Sequence, residues 1–303
     1  MVIRKATATT ATVATPVRAK VAAVVIAYHP STEAITNIKT YYNWVDKIYV
    51  FDNTEAKSVI HDELLKLPNV EVFQDFSNKG IAKRLNEACE IALKEGFDWL
   101  LTMDQDSNFS PDAIKYYFNC FRNYNGKDNA AMIGTKRSRQ IIASTNNCSP
   151  REVQDLITSG SLLNLSLFKE VGGFDEALFI DLVDNEYCAR ARIKGYSNVI
   201  FTNINLVHEL GKQVYRPSIK TLFLVKKKKE VHSPLRCYYM YRNLLYIEKK
   251  YKDENQDFIK KLRKDITARI KICLLYGGEA MKIIQYLKFA KKDFKNNKMG
   301  KKE

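Results

Sequence analysis

A chain of 303 residues, 46% hydrophobic and 27% charged, has the composition of a globular protein with room for one large domain or two modest ones, which excludes a disordered or fibrous chain. The formal charge of +15 is concentrated at one end: residues 226–303 hold 23 Lys and Arg against 9 Asp and Glu, so the first 225 residues are close to neutral. No apolar run approaches the roughly 18–20 residues of a membrane-spanning helix, and the six scattered cysteines, with no C-x-x-C pair and no secretory leader, read as reduced and cytosolic.

Residues 1–20, rich in Ala and Thr and free of acids, read as a disordered extension, with an organelle transit peptide as the lesser reading. "VAAVVIAY" is a short β-branched run of the kind buried on both faces in a parallel sheet. A helix follows, capped by Ser31 or Thr32, and "DKIYVFDN" reads as a second strand ending in an acid. "SVIHDELLKL", "NVEVFQD", "GIAKRLNEACEIALKEG" and "FDWLLTMD" continue as helix, strand, helix and strand. This alternation predicts an α/β fold, a parallel sheet with helices on both faces, in which ligands lie at the carboxyl ends of the strands. Further on, "AAMIGTK", "VQDLITSGSLLNLSLF" and "SNVIFTNINLVHE" read as strands, and "VGGFDEALFIDLVDNEYCARARIKG" as a loop entering a helix. From Ser233 the pattern is helical and basic.

The chemistry-bearing residues sit at the predicted strand ends. Asp104 and Asp106, in D-Q-D, are hard oxygen donors suited to Mg²⁺ or Mn²⁺ with a diphosphate completing the site. Alone, such a pair more often caps the next turn. Asp52 can accept a hydrogen bond from the ring N–H of a uracil or thymine, with Asn53 shaping its loop, or it can form an Asx turn. Asn78 and Gly80 stand at the start of a helix whose free amides attract phosphate, with Lys83 and Arg84 adding charge. Gly160, between two serines, lets backbone approach a sugar or marks a bulge. Asp181, Asp184 and Glu186 precede a helix and exceed what capping requires, so one of them is a candidate general base. His208 alone reads as a core histidine. Its place with Asp52, Asp104, Asp106 and Asp184, all at strand ends or the loops beyond, favours a shared site.

The order of "VVIAYHP", "VFDN", "NKGIAKRLNEA", "WLLTMDQDS", "SGSLLN", "VGGFDEALFIDLVDNEYCARAR", "VHELG" and "YYMYRN" resembles the family 2 inverting glycosyltransferases of the GT-A fold, over about residues 21–251. The D-Q-D-S and F-I-D-x-V-D-x-E stretches resemble its rhamnosyltransferase branch. The resemblance implies a mostly parallel central sheet with a basic helical C-terminal appendage, divided into a nucleotide-sugar half (about 21–106), an acceptor half (about 107–230) and helices over 231–303. It implies that Asp52, Asn53, Asn78, Gly80, Arg84, Asp104 and Gly160 serve the donor. Asp104, Asp106 and His208 would hold Mg²⁺ or Mn²⁺, with Asp106 the more direct ligand. Asp184 would be the base, and Asp181, Arg242 and Asn243 would border the acceptor. Val183 departs from the pattern, since many relatives carry Glu there. The implied donor is dTDP-L-rhamnose, with a UDP-sugar as the alternative, and the implied acceptor is a saccharide or lipid-linked saccharide. The basic tail suggests peripheral attachment to an anionic membrane on its cytoplasmic face.

Other classes fit less well. In a haloacid dehalogenase-like phosphatase the D-x-D follows the first strand, and here it follows the fourth. A nucleotidyltransferase needs a Gly-rich basic loop after strand one, which "AYHPSTEA" is not. A basic protein that only binds membrane or nucleic acid leaves the strand-end acids unexplained, and nucleic acid is not an expected partner.

Overall fold

The computed structural model describes residues 19–208, 212–217 and 226–303. Apart from Ala19 and Lys20, the extension expected over residues 1–20 lies outside them, as do Glu209, Leu210 and Gly211 of the V-H-E-L-G motif.

The first half alternates as the sequence pattern requires: β1 (Val21–Ala27), α1 (Glu33–Lys39), β2 (Lys47–Asp52), α2 (His61–Leu64), β3 (Val70–Gln74), α3 (Gly80–Lys94) and β4 (Trp99–Asp104). Strand β1 pairs in parallel with β2 and β4, and β2 with β3. Parallel neighbours need crossover helices, and those helices bury both faces of the strand they cover. In β1, Ala22 and Val24 join the cluster that includes Leu85 and Ala88 of α3, while Val21, Ala23 and Val25 join one with Ala34 and Ile38 of α1. The continuous apolar run of β1 is the chemical condition for that central place.

The second half adds β5 (Ser107–Asn108), α4 (Pro111–Asn123), β6 (Ala130–Ser138), β7 (Pro150–Glu152), β8 (Ser161–Asn164), α5 (Leu165–Val171), α6 (Val183–Ile193) and β9 (Ser197–His208). Among the described residues these complete a nine-stranded mixed sheet in the order β3-β2-β1-β4-β8-β6-β9-β5, with β7 on β9. Strand β8 runs antiparallel to β4 and β6, whereas β6 and β9 are parallel. The strand predicted across residues 153–168 is much shorter. Only Ser161–Asn164 is a strand, because the Asn164 side chain accepts the N–H groups of Ser166 and Leu167 and so starts α5 at once.

Then come β10 (Lys212–Pro217) and β11 (Lys226–Val231), paired antiparallel as a separate two-stranded sheet, and α7 (Pro234–Lys250), α8 (Gln256–Tyr276) and α9 (Ala280–Lys295). Ser233 caps α7 by accepting the Arg236 N–H, with Pro234 at its first position. These helices are part of the core: Met240, Leu244 and Ile247 pack with Leu85, Phe174 and Tyr187. No helix among the described residues is long and apolar enough to cross a membrane.

One expectation is corrected. Cys120, near the end of α4, is joined to Cys148 by a disulfide, with Cα atoms 5.4 Å apart. The other four cysteines are buried and free. Fold geometry brings the two together across 28 residues, a proximity that cysteine spacing does not encode.

Candidate active site

Strand β4 delivers Asp104 to the carboxyl edge of the sheet, and the D-Q-D turn is fixed by its middle residue. Gln105 accepts the Tyr28 N–H through Oε1 (2.7 Å) and donates from Nε2 to the Tyr28 carbonyl (3.2 Å), tying the turn to the end of β1. Asn37 of α1 donates to the Gln105 carbonyl (2.9 Å). Both acids are thereby held outward, with side chains 41% and 45% exposed.

The next two residues form β5, which pairs antiparallel with the end of β9 and sets Ser107 opposite His208. The imidazole Nδ1 lies 3.3 Å from Asp106 Oδ1 and 3.9 Å from Asp104 Oδ2. Ligand atoms from Asp104, Asp106 and His208 all fall within 4.8 Å of one another. Ser107 Oγ is 2.6 Å from His208 Nδ1, Ser159 Oγ donates to Ser107 Oγ (2.7 Å), and the Asp104 N–H donates to Ser159 Oγ (3.1 Å). Two carboxylates and an imidazole, oriented by hydroxyls behind them, are a donor set that fits Mn²⁺ or Mg²⁺.

Electrostatics agree with a charged cluster. Burial pulls the His208 pKa down, but the hydrogen bond to Asp106 and the charges of Asp104 and Asp106 outweigh it, and the pKa is raised. Asp104 is raised by loss of solvation and by Asp106, against the pull of His208 and Arg236.

Asp184 lies in the first turn of α6, half-buried. Burial pushes its carboxyl up to about 6, Asp104 and Asp181 adding repulsion, while the Asn185 N–H and Arg137 draw it down. A carboxylate at that value is suited to general base work near neutrality. Asp181 is engaged otherwise, its two oxygens accepting Nε and Nη2 of Arg236. The loop before α6 carries Phe179, Asp181 and Leu182 at φ of 61°, 64° and 65°, a conformation costing on the order of 1–3 kcal/mol per residue that clusters at functional sites.

The residues expected at the donor form a second group beside β2. Asp52 is 1% exposed, with Oδ1 accepting the Thr54 N–H (2.9 Å) in an Asx turn and Oδ2 accepting Gln74 Nε2 (3.3 Å). Asn53 Oδ1 accepts Arg84 Nε (2.8 Å) and the Lys79 N–H (3.3 Å), and Asn78 Oδ1 accepts the Gly80 N–H (3.0 Å). Arg84 is 3% exposed and also pairs with Asp75 (2.5 Å) and Glu87 (2.8 Å), so its charge is spent inside the protein. Gly80 has φ of +83°, and a Cβ there would meet the Phe179 carbonyl oxygen at 2.6 Å. Gly160 has φ of +75°, a backbone conformation that favours glycine, and a Cβ there would meet the movable end of the Leu206 side chain at 2.7 Å.

Arg242 and Asn243, expected at the acceptor, are 1% and 0% exposed and offer a ligand no surface. They bond to backbone instead: Asn243 Nδ2 to the carbonyls of Leu178 (2.8 Å), Ile180 (2.8 Å) and Asp181 (2.9 Å), and Arg242 Nη1 to the carbonyl of Gly300 (2.8 Å). The sequence reading missed Gln105, Ser107, Ser159, Arg137 and Arg236. Gln105, Ser107 and Ser159 lie inside the D-Q-D-S and S-G-S stretches without a role given to them, and Arg137 lies in "TKRSRQ", an apolar strand turning abruptly basic at its end.

No protein-family model matches the chain. In sequence it is similar to the dTDP-rhamnosyl transferase RfbF of Shigella flexneri, 26% identical over 284 residues that span 88% of this chain and 91% of that protein. In structure it is similar to GalNAc-T7 with UDP, GalNAc and Mn²⁺, with a TM-score of 0.53 at 11% identity over 84% of this chain; it spans 57% of that chain's length. The structure of S. aureus TarS 1–349 aligns over 92% of both chains at 14% identity, with a TM-score of 0.42.

Proposed function

We propose that this chain, a glycosyltransferase of the GT-A type, moves L-rhamnose with inversion from dTDP-L-rhamnose to a saccharide or lipid-linked saccharide acceptor. The fold is that of the GT-A glycosyltransferases. The name of the Shigella relative supports rhamnose, and UDP-sugars are the alternative donors to test. The observation that carries the reading is the convergence of Asp104, Asp106 and His208, close enough to Asp184 for Asp104 to raise its pKa.

Asp104, Asp106 and His208 would hold Mn²⁺ or Mg²⁺. Bound there, the cation would offset the charge on the leaving nucleoside diphosphate. The group around Asp52, Asn53, Asn78, Gly80 and Arg84 shapes the loop that receives the base, and Gly160 leaves room near the donor sugar. Asp184 takes the proton of an acceptor hydroxyl, whose oxygen attacks the anomeric carbon as the bond to the diphosphate breaks. One displacement inverts the anomeric centre. Asp181, held by Arg236, borders the acceptor.

The helical end would hold the enzyme against an anionic membrane. Helix α9 carries five lysines and a single acid, Asp293, which accepts the Tyr238 hydroxyl (2.8 Å). Leu275, Met281 and Ile284, around the turn between α8 and α9, are 54%, 82% and 43% exposed. Exposed apolar side chains flanked by lysines suit a lipid interface.

Release of nucleoside diphosphate from a panel of nucleotide sugars with Mn²⁺ tests the donor. Preference for dTDP-L-rhamnose supports the reading, and preference for a UDP-sugar replaces the donor while leaving the enzyme class intact.

A further inference from the structure

The loop that carries Asp181 and leads into Asp184 keeps a left-handed backbone that needs outside support, since such residues persist only where their surroundings over-determine them. The support comes from α7 and from residues 300–302, far along the chain. Asn243 Nδ2 reaches three carbonyls of the loop, and Asn243 Oδ1 in turn accepts Nε (3.3 Å) and Nη2 (3.1 Å) of Arg242. Arg242 Nη1 donates to the Gly300 carbonyl (2.8 Å), and the Gly300 N–H donates to the Ala177 carbonyl (2.8 Å), closing a ring of bonds around the loop. The Lys302 N–H donates to the Tyr239 hydroxyl (2.8 Å), and the Tyr239 ring stacks on Phe179 with centroids 5.4 Å apart. From the donor side, the Ile81 N–H donates to the Phe179 carbonyl (2.7 Å). The loop is gripped between the start of α3 and a bridge that residues 300–302 complete.

We infer that residues 300–302, acting through Arg242 and Asn243, are a positioning element for the transfer step: they fix the backbone of residues 177–182 and so aim Asp184 at the acceptor hydroxyl. The inference rests on Asp184 being the base. None of these residues reaches the acid cluster, so their effect belongs in turnover rather than in donor binding. A bridge made only for stability would alter the melting temperature and leave kcat alone.

The test is made in the full chain. Gly300→Pro removes the N–H given to Ala177 and forbids the observed φ of +78°, and Arg242→Met removes the donors to Gly300 and Asn243. Each should lower kcat about 100-fold with KM for the nucleotide sugar within about twofold of wild type, the signature of misaligned reacting groups. Arg242→Lys, which keeps one donor, should recover part of the loss. Tyr239→Phe deletes only the hydroxyl that meets Lys302 and decides the matter if Gly300→Pro does not fold; a fall in kcat with an unchanged melting temperature is expected. Wild-type kcat in the folded variants, or a loss of kcat matched by loss of donor affinity, overturns the inference. Asp184→Asn measured in parallel separates the two readings: if it keeps transfer, the base assignment falls, and if it is inactive while Gly300→Pro is fully active, only the bridge falls.

Discussion

Ser107 Oγ lies 2.6 Å from Nδ1 of His208 although 101 residues separate the two in sequence. The contact exists because β5, only two residues long, pairs with the last residues of β9. It gives the imidazole a fixed orientation against Asp104 and Asp106, and the hydroxyl of Ser159 fixes Ser107 in turn.

With Nδ1 engaged by Ser107, Nε2 is the nitrogen left for an ion, and Ser107→Ala should weaken Mn²⁺ binding about tenfold or more while leaving the melting temperature nearly unchanged, as expected when a residue that orients a ligand is lost. Calorimetric titration of Mn²⁺ in the presence of dTDP measures it. Unaltered affinity would mean that Ser107 does not orient His208 for the ion.

Asp184→Asn should abolish transfer with donor binding nearly intact, because the amide keeps the shape and loses the basicity. Asp181→Asn should do less, its carboxylate being committed to Arg236. In the wild type, kcat should rise with pH through about 6 as Asp184 loses its proton. Transfer rates in the opposite order for the two variants would move the base to Asp181.

The same raised pKa has a cost in stability. A carboxyl whose folded pKa lies above its unfolded value favours the fold while protonated, and that contribution is lost as pH rises from about 4 through about 6. Asp184→Asn should thus raise the melting temperature at pH 8, with the gain shrinking toward pH 4. A gain that does not vary with pH would point to packing instead of charge.

How much of this was legible in the sequence depends on how local each feature is. Strands β1, β2 and β4 announced themselves as apolar runs, and α8 and α9 as apolar spacing between lysines, because burial on one or both faces dictates those patterns. Strands β5 and β7, of two and three residues, are too short for any period, and the lysines of β11 give no apolar alternation. Asp104, Asp106, Asp184 and His208 could be named from motif order. The Asp181–Arg236 pair, the disulfide and the burial of Arg242 and Asn243 join residues far apart in the chain, and only the fold puts them together.

Arg84 ties the ends of β2 and β3 to α3 through Asn53, Asp75 and Glu87. Arg84→Met should destabilise the protein by about 1–3 kcal/mol, since it leaves the buried side-chain oxygen of Asn53 without the Arg84 Nε donor and leaves Asp75 and Glu87 with Lys79 alone. Chemical denaturation measures this. A loss below about 0.5 kcal/mol would show that the group is not cooperative.

Attachment to membrane through α8 and α9 should depend on salt, because headgroup attraction is screened over about 10 Å at 0.1 M. Co-sedimentation with anionic vesicles, reduced by high salt and by replacing Met281 and Ile284 with Ser, is expected. Equal recovery in the supernatant with anionic and neutral vesicles would end the membrane role.

The central claim, that Asp104, Asp106 and His208 hold a cation that receives a nucleotide sugar, is tested most directly by titrating dTDP-L-rhamnose into the wild type and Asp106→Ala, each with Mn²⁺ and with EDTA. The account predicts that Mn²⁺ tightens binding to the wild type about tenfold or more, and that Asp106→Ala with Mn²⁺ binds no better than the wild type in EDTA. The same affinity in all four titrations would contradict it.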